Sequence, residues 1–291
     1  MRIIRFQNGA EQRLAAVTDE DKVYALSDSD FISFLERVEK TGATPLEDVN
    51  QQIRSAQPLD AALESLELLI PVEAPEVWAA GVTYAHSKEA RNYEATAGKM
   101  DATTYYDKVY DAERPELFLK STAARTVGHL DQVCLRNDSN WQVPEPELGL
   151  VLSSRGDIVG YIIGNDMSCR DIEGENPLYL PQAKVWKQSC SIGPFIRLAE
   201  TVEDPYQLQI SLRIYRNGEK VVDQSASTGQ LKRKLGELVS FLRRDNIVFG
   251  GTVLLTGTCI VPPNKFTLAP QDRIEIEITG LGTLVNTAIM S

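Results

Sequence analysis

Glu145, Glu147 and Asp166 are the residues of this sequence whose types and spacing point most directly to chemistry. They lie within VPEPELGLVLSSRGDIVGYIIGNDMSCR, residues 143–170. Side chains on a strand alternate between faces, so Glu145 and Glu147 project the same way with Gly149 next, while Leu148, Leu150 and Leu152 face the other way. The turn-forming run Ser153-Ser154-Arg155-Gly156-Asp157 separates this strand from a second apolar run, residues 158–163, that ends at Asn165-Asp166. The pattern predicts a hairpin that returns Asp166 to the glutamates. Three converging carboxylates form an all-oxygen site with open positions, which suits Mg²⁺, with Mn²⁺ or Ca²⁺ as alternatives, rather than zinc. The competing reading is a solvated strand face, where E-x-E is common. The glycine-bearing turn and the N-D that follows favour the metal.

Two regions must position these residues. Residues 1–71 are expected to form a small N-terminal α+β domain. IIRF and RLAAV flank an Asn8-Gly9 turn, and Val23-Tyr24-Ala25-Leu26 suggests a third strand. DSDFISFLERVEK offers an Asp or Ser N-cap and helical apolar spacing, and a weaker helix is expected over residues 60–68. Pro71 and Pro75 mark the boundary. Residues 72–291 are strand-rich: LQISLRIYRNGEKVVDQ turns at Asn217-Gly218, and TVLLTGT, RIEIEIT and TLVNTAI follow. Helices are expected over residues 85–97 and 231–244, the latter with Leu231, Leu235, Leu238 and Leu242 on one stripe. Residues 171–187 show little periodicity and are expected to be a loop that lines a site. The expected class is α+β, a β-rich mixed sandwich or roll.

Composition excludes several partners. The 291 residues carry a net charge of −11 from 30 basic and 41 acidic residues. No Lys/Arg cluster is long enough to track phosphates, so nucleic acid and anionic membranes are poor partners. No apolar run approaches the ~20 residues of a membrane span, and MRIIRFQNGAEQR lacks the apolar core of a signal peptide. Cys134, Cys169, Cys190 and Cys259 have no C-x-x-C spacing. The expectation is a cytoplasmic protein with reduced thiols.

Four further motifs occur in one order: P-E-x-E-L-x-x-V-L, G-Y-x-x-x-N-D-x-S-x-R-D, Lys184 ahead of Gly193-Pro194, and Thr256-Gly257-Thr258. This order resembles the fumarylacetoacetate hydrolase superfamily over residues 75–291. The resemblance implies that family's β-rich roll, a homodimer or homotetramer, and a divalent cation, with Mg²⁺ first, held by Glu145, Glu147 and Asp166. It also implies that Lys184 lies near substrate and metal, and that Thr258 binds a substrate carboxylate. The segments YYDKVYDAERPELFLKST and ENPLYLPQAKVW are similar to the 2-keto-3-deoxy-D-arabinonate dehydratase branch, in which the glutamate of R-P-E, here Glu116, is an acid–base candidate.

One departure bears on the reaction. Family hydrolases commonly carry G-x-N-Y-x-x-H-x-x-E, whose His–Glu pair activates water. Here Gly81-Val82-Thr83-Tyr84-Ala85-His86 replaces Asn by Thr83 and brings His86 one residue early. His86 and Glu89 keep the i,i+3 spacing of one helical face. They remain catalytic candidates, with Tyr84, Glu173, Lys184 and Thr258 as substrate-binding candidates. Glu173 stands where some family hydrolases carry glutamine, and Arg170-Asp171 is expected to be a structural salt bridge.

The implied substrate is a small 2-keto acid and the implied reaction a Mg²⁺-dependent dehydration to 2,5-dioxopentanoate. It needs a base at C3 and an acid at the C4 oxygen, for which Glu116 and Lys184 are the candidates. A lysine beside a cation is expected to have its ammonium form disfavoured. The structural alternatives are a carboxylate paired with Arg114 or Lys120 for Glu116, and an ordinary surface lysine for Lys184. Competing functions are an acylpyruvate or diketo-acid hydrolase, a 2-oxo-acid isomerase or decarboxylase, and a non-catalytic protein stapled by a metal.

Overall fold

The structure, a computed structural model, describes residues 1–96 and 105–291. In chain order the first elements are β1 (Arg2–Asn8), β2 (Glu11–Val17), β3 (Val23–Ala25), α1 (Phe31–Thr41), α2 (Pro45–Arg54), β4 (Glu67–Leu69) and β5 (Glu76–Gly81). Next come α3 (Ala85–Thr96), α4 (Tyr105–Asp111), β6 (Glu116–Thr122), β7 (Thr126–Val127), β8 (Gln132–Leu135) and β9 (Gln142–Val143). The centre of the chain forms β10 (Pro146–Leu152), β11 (Ile158–Asp166), β12 (Ser168–Cys169), α5 (Arg170–Glu175), α6 (Leu180–Lys184) and β13 (Cys190–Leu198). The last part supplies β14 (Gln209–Arg216), β15 (Glu219–Ser227), α7 (Leu235–Arg243), β16 (Val253–Thr258), β17 (Arg273–Ile278) and β18 (Gly282–Met290).

An 11-stranded sheet runs β3-β2-β1-β13-β11-β10-β16-β5-β6, with β4 on β1 and β7 on β13, and a five-stranded sheet runs β15-β14-β17-β18-β8. The result is a mixed fold of large sheets and few helices, as expected. Strand alternation builds the layers. Leu148, Leu150 and Leu152 of β10 join Leu212, Leu238 and Ile276 in one core, while Val151 points into a second core with Phe31, Phe34, Ile162 and Val253. Each such fully buried side chain contributes about 1.5–3 kcal/mol.

The large sheet and the second core cross residue 71. Ile3 of β1 lies opposite Ile196 of β13, and the aromatic face of α1 packs with residues of β10, β11 and β16. Asp30 caps α1 by accepting from the Ile32 and Ser33 amides at 3.0 and 2.9 Å.

Three expectations are corrected. Over residues 60–68 there is a single turn, Leu63–Ser65, followed by β4, where Leu68 pairs with Phe6; a nine-residue helix is marginal, and the open edge of β1 offers backbone partners. The later leucine stripe is buried, but α7 starts only at Leu235, with Leu231 on the incoming chain. Residues 171–187 fold into α5, a Pro177–Tyr179 turn and α6, the turn capped by Asn176 Oδ1 accepting from the Leu178 amide at 2.9 Å. The helix expected over residues 85–97 is α3, and Ala97 lies outside the described residues. The helix α2 was not expected, although its signal is T-P-x-E: Thr44 and Glu47 form a capping box that brackets Pro45. No helix among the described residues is long and apolar enough to cross a membrane.

Candidate active site

The β10–β11 hairpin places the carboxylates as predicted. Glu147 pairs with Gly164 across the hairpin, and the Asp166 amide donates to the Glu145 carbonyl at 2.9 Å. Glu145, Glu147 and Asp166 are buried at 3%, 2% and 1% exposure, which rules out the solvated-face reading. Each offers a carboxylate oxygen within 4.8 Å of the other two.

Burying three like charges is costly unless cations answer them. Lys184, at the end of α6 and fully buried, donates from Nζ to Glu145 Oε2 at 2.6 Å, Asp166 Oδ2 at 3.1 Å and Ser168 Oγ at 2.5 Å. Arg170 Nη2 reaches Glu145 Oε1 at 2.5 Å. Lys120, also fully buried, pairs with Asp166 Oδ1 at 2.7 Å and donates to the carbonyls of Met167 and Lys184. Among the described residues Glu147 receives only the Gly257 amide, at 2.7 Å on Oε2.

The electrostatics follow from these contacts. Burial alone pushes the Glu145 carboxyl up, but Lys184, Arg170 and Arg91 outweigh it and the net shift is downward. Burial, reinforced by Asp166 and Glu145, drives Glu147 well above the ordinary carboxylate range. Burial works against the Lys184 ammonium, yet Asp166, Glu145 and Glu173 overcome it, so its pKa is raised. Among the protein's own charges, the carboxylates nearest Lys184 favour its ammonium form; the expectation of a disfavoured ammonium concerns the lysine beside a bound cation.

These residues fit a hard divalent cation. Three buried oxygen donors converge, one of them destabilised by the other two, and the carboxylates of Glu116, Glu145, Glu147, Asp166 and Glu173 outnumber the cations Arg91, Lys120, Arg170 and Lys184.

Beyond Lys184 lies a cavity of about 450 Å³ lined by Lys108, Arg114, Glu116, Glu173, Leu178 and Leu180, among others. Glu173 is 1% exposed, its Oε1 3.8 Å from Lys184 Nζ and ion-paired with Arg91 of α3. Glu116 opens β6, its Oε2 enclosed without a hydrogen-bond partner; burial pushes its carboxyl up, partly offset by Arg91. Neither structural alternative for Glu116 holds, because Lys120 serves Asp166 and Arg114 stacks over Phe241 at 5.5 Å. Nor is Arg170 paired with Asp171, which accepts from Ser139 Oγ and the Asn140 amide, both at 2.6 Å.

The remaining candidates sit at the margin. Thr258 lies opposite Glu147, its Oγ1 3.0 Å from the Pro146 carbonyl and 2.9 Å from that of Ile260. Tyr84 is buried with an unpartnered hydroxyl, and burial next to Cys259 and Glu147 raises its pKa. His86 and Glu89 are exposed on α3, with His86 Nδ1 3.4 Å from the Cys259 carbonyl. Arg91 was not among the expected site residues, and Lys120 was expected only as a partner of Glu116, not of Asp166. Neither carried a signal in the sequence: Lys120 follows the unbroken apolar run Leu117-Phe118-Leu119, and Arg91 stands alone within a polar helix.

Glu116 depends on a glycine for space. Gly81 is its cross-strand partner, and a Cβ there would lie 2.0 Å from Glu116 Oε2. Gly81→Ala is expected to push the carboxyl aside and lower turnover by about 100-fold, the scale of an ångström misplacement, with a melting temperature near that of the wild type. Unchanged turnover would show that the placement of Glu116 is immaterial.

Comparison with known proteins agrees with this geometry. The family model described as "Fumarylacetoacetate (FAA) hydrolase C-terminal" matches residues 85–289. A Haloferax volcanii protein named "Probable 2-keto-3-deoxyxylonate dehydratase" is 46% identical over 281 residues, 95% of each chain. The 2-dehydro-3-deoxy-D-arabinonate dehydratase of Saccharolobus solfataricus is 44% identical over 223 residues, 77% of this chain and 74% of that one. A solved structure of 2-keto-3-deoxy-D-arabinonate dehydratase complexed with magnesium and 2,5-dioxopentanoate superposes with a TM-score of 0.86 at 34% identity, covering 100% of this chain and 99% of that one.

Proposed function

The chain belongs to the fumarylacetoacetate hydrolase family, and from that membership and the carboxylate–lysine cluster we propose that it is a divalent-metal-dependent dehydratase of a 2-keto-3-deoxypentonate. The product is 2,5-dioxopentanoate. The relatives' two names describe the same carbon skeleton: a 2-keto-3-deoxy acid has lost the stereocentres at C2 and C3, so sugars alike at C4 converge on one compound. The observation that carries the reading is the buried Glu145–Glu147–Asp166 group, joined through Lys184 to a cavity lined by Glu116 and Glu173.

Glu145, Glu147 and Asp166 would hold the cation, Mg²⁺ in the first instance. A bound divalent cation supplies Lewis acidity at the 2-keto group, which acidifies C3. In the overall change a proton leaves C3, the C4 hydroxyl departs as water, and the double bond migrates until C5 becomes the aldehyde. Lys184 and Glu116 are assigned the proton transfers. The raised pKa of Glu116 suits it to donate to the departing hydroxyl, and Lys184, among the carboxylates that would hold the cation, is assigned to take the C3 proton once those carboxylates are otherwise engaged. Thr258, Tyr84 and Glu173 are assigned to substrate binding. A homodimer or homotetramer in the cytoplasm belongs to the same proposal, supported by four free, buried thiols and by exposed apolar Leu119, Ile247 and Phe249.

The exposure of His86 and, among the described residues, its approach only to a backbone carbonyl favour dehydration over hydrolysis, which needs a positioned base to direct water. The test assays 2-keto-3-deoxy-D-arabinonate and an acylpyruvate, each with Mg²⁺ and with chelator. The expected result is Mg²⁺-dependent formation of 2,5-dioxopentanoate, poor acylpyruvate cleavage, and dehydration retained within about threefold in His86→Ala, since losing a positioned base would cost about 10²–10⁴-fold. Efficient release of pyruvate from the acylpyruvate, lost in His86→Ala, would overturn the assignment.

A further inference from the structure

Arg91 and Glu173 form an ion pair that stability alone does not explain. Arg91 is 4% exposed and Glu173 1%, on helices α3 and α5. Such a pair loses several kcal/mol of hydration per ion, and apolar residues of similar volume commonly replace it without loss of stability. Its presence in the interior calls for a second task. Glu173 lines the cavity, and neither of its carboxylate oxygens has a hydrogen-bond partner. Oε1 lies between two cations, Arg91 and Lys184 Nζ at 3.8 Å. An ionised carboxylate only accepts hydrogen bonds, so its complement is a donor. A hydroxyl is the donor that a sugar acid brings.

We propose that Arg91 is a positioning residue for substrate choice: its ion pair latches α3 onto α5 and holds Glu173 as the acceptor for the substrate's terminal hydroxyl. This inference rests on the dehydratase reading and deepens it. Without Arg91, Glu173 has a single ion-pairing neighbour among the described residues, Lys184, and turns toward it, away from the substrate. With Arg91 in place the carboxylate stays between the two cations. A substrate lacking the C5 hydroxyl would leave a buried carboxylate oxygen unpaired, a penalty that corresponds to about 10- to 100-fold in kcat/KM.

The experiment compares kcat/KM for 2-keto-3-deoxy-D-arabinonate and its 5-deoxy analogue, 4-hydroxy-2-oxopentanoate, which can lose water from C3 and C4 in the same way. Wild type, Arg91→Met and Arg91→Met/Glu173→Leu are measured with Mg²⁺. The ratio of the two values is the readout, because a partly unfolded sample lowers both equally. The double variant replaces the whole pair by apolar groups, so it leaves no lone buried charge. The expected result is a wild-type preference of about 10- to 100-fold for the 5-hydroxyl substrate, falling to within about threefold of unity in both variants. A wild type without preference overturns the inference and leaves the dehydratase reading standing. So does Arg91→Met with the wild-type ratio, or the double variant with that ratio. Loss of all turnover in both variants, with far-UV circular dichroism unchanged, also overturns it, since a residue that sets preference does not abolish the reaction. A wild type that dehydrates neither compound overturns the dehydratase reading itself, and the inference with it.

Discussion

Glu147→Gln is expected to abolish Mg²⁺-dependent turnover while leaving the chelated protein at least as stable as the wild type. Glu145→Gln and Asp166→Asn should abolish turnover too, but with a loss of stability. The shared part follows from the chemistry of a hard cation, which depends on anionic oxygen donors. Losing any one of the three should cost more than the ~10–100-fold typical of an outer partner. The difference follows from the contacts. Glu145 answers Lys184 and Arg170, and Asp166 answers Lys120 and Lys184, so neutralising either strands buried cations, an effect of about 3–5 kcal/mol. Glu147 has no cation at hydrogen-bonding distance among the described residues, and burial, reinforced by the other two carboxylates, raises its pKa, so neutralising it relieves both the cost of burying a charge and the repulsion. Thermal melts in chelator, Mg²⁺ titration calorimetry and turnover together read all three. Near-normal turnover of any variant at limiting Mg²⁺ would remove that residue from the ligand set. Saturating Mg²⁺, at about 100 times its Kd, should stabilise the wild type by about 2.7 kcal/mol and Glu147→Gln not at all.

Lys184→Met is expected to lower kcat by about 10²–10⁴-fold, the scale of a lost proton-transfer group, and Glu116→Gln to do the same. The two should differ in every other respect. Lys184 Nζ is shared by Glu145, Asp166 and Ser168, and its removal leaves a surplus of buried negative charge. Lys184→Met should therefore be unstable in chelator and regain stability with Mg²⁺, which restores positive charge at the same oxygens. Glu116 holds no cation at salt-bridge distance among the described residues, and its Oε2 has no partner, so Glu116→Gln should melt like the wild type and bind Mg²⁺ unchanged. A rise in KM alone would make either residue a binding group and end its catalytic assignment.

The carboxylate cluster was legible in the sequence because it is local. Glu145 and Glu147 share a strand face by the period of two, the turn at Ser153–Asp157 sets the hairpin, and Asp166 returns opposite Glu145 through contacts spanning 21 residues. The capped helix α1 and the Asn217-Gly218 hairpin were readable for the same reason: caps, turns and apolar periods act over a few residues. Even α2 announced itself through Thr44-Pro45 and Glu47.

What surrounds the carboxylates was decided only by the tertiary structure. Lys120 stands 46 residues before Asp166 and reaches it because β6 ends the same sheet, through β5, β16, β10 and β11. Arg91 meets Glu173 across 82 residues because α3 packs on α5. Arg170 lies next to Asp171 in the chain, yet its guanidinium reaches Glu145 while Asp171 caps Ser139 and Asn140. The protonation of Lys184 belongs to the same class, since its sign depends on which charges lie nearest. Residue types and short-range periodicity determine what a segment can offer and which face it presents. Which charges end up within 3 Å of one another depends on sheet order and helix packing, set by burial of apolar surface throughout the chain.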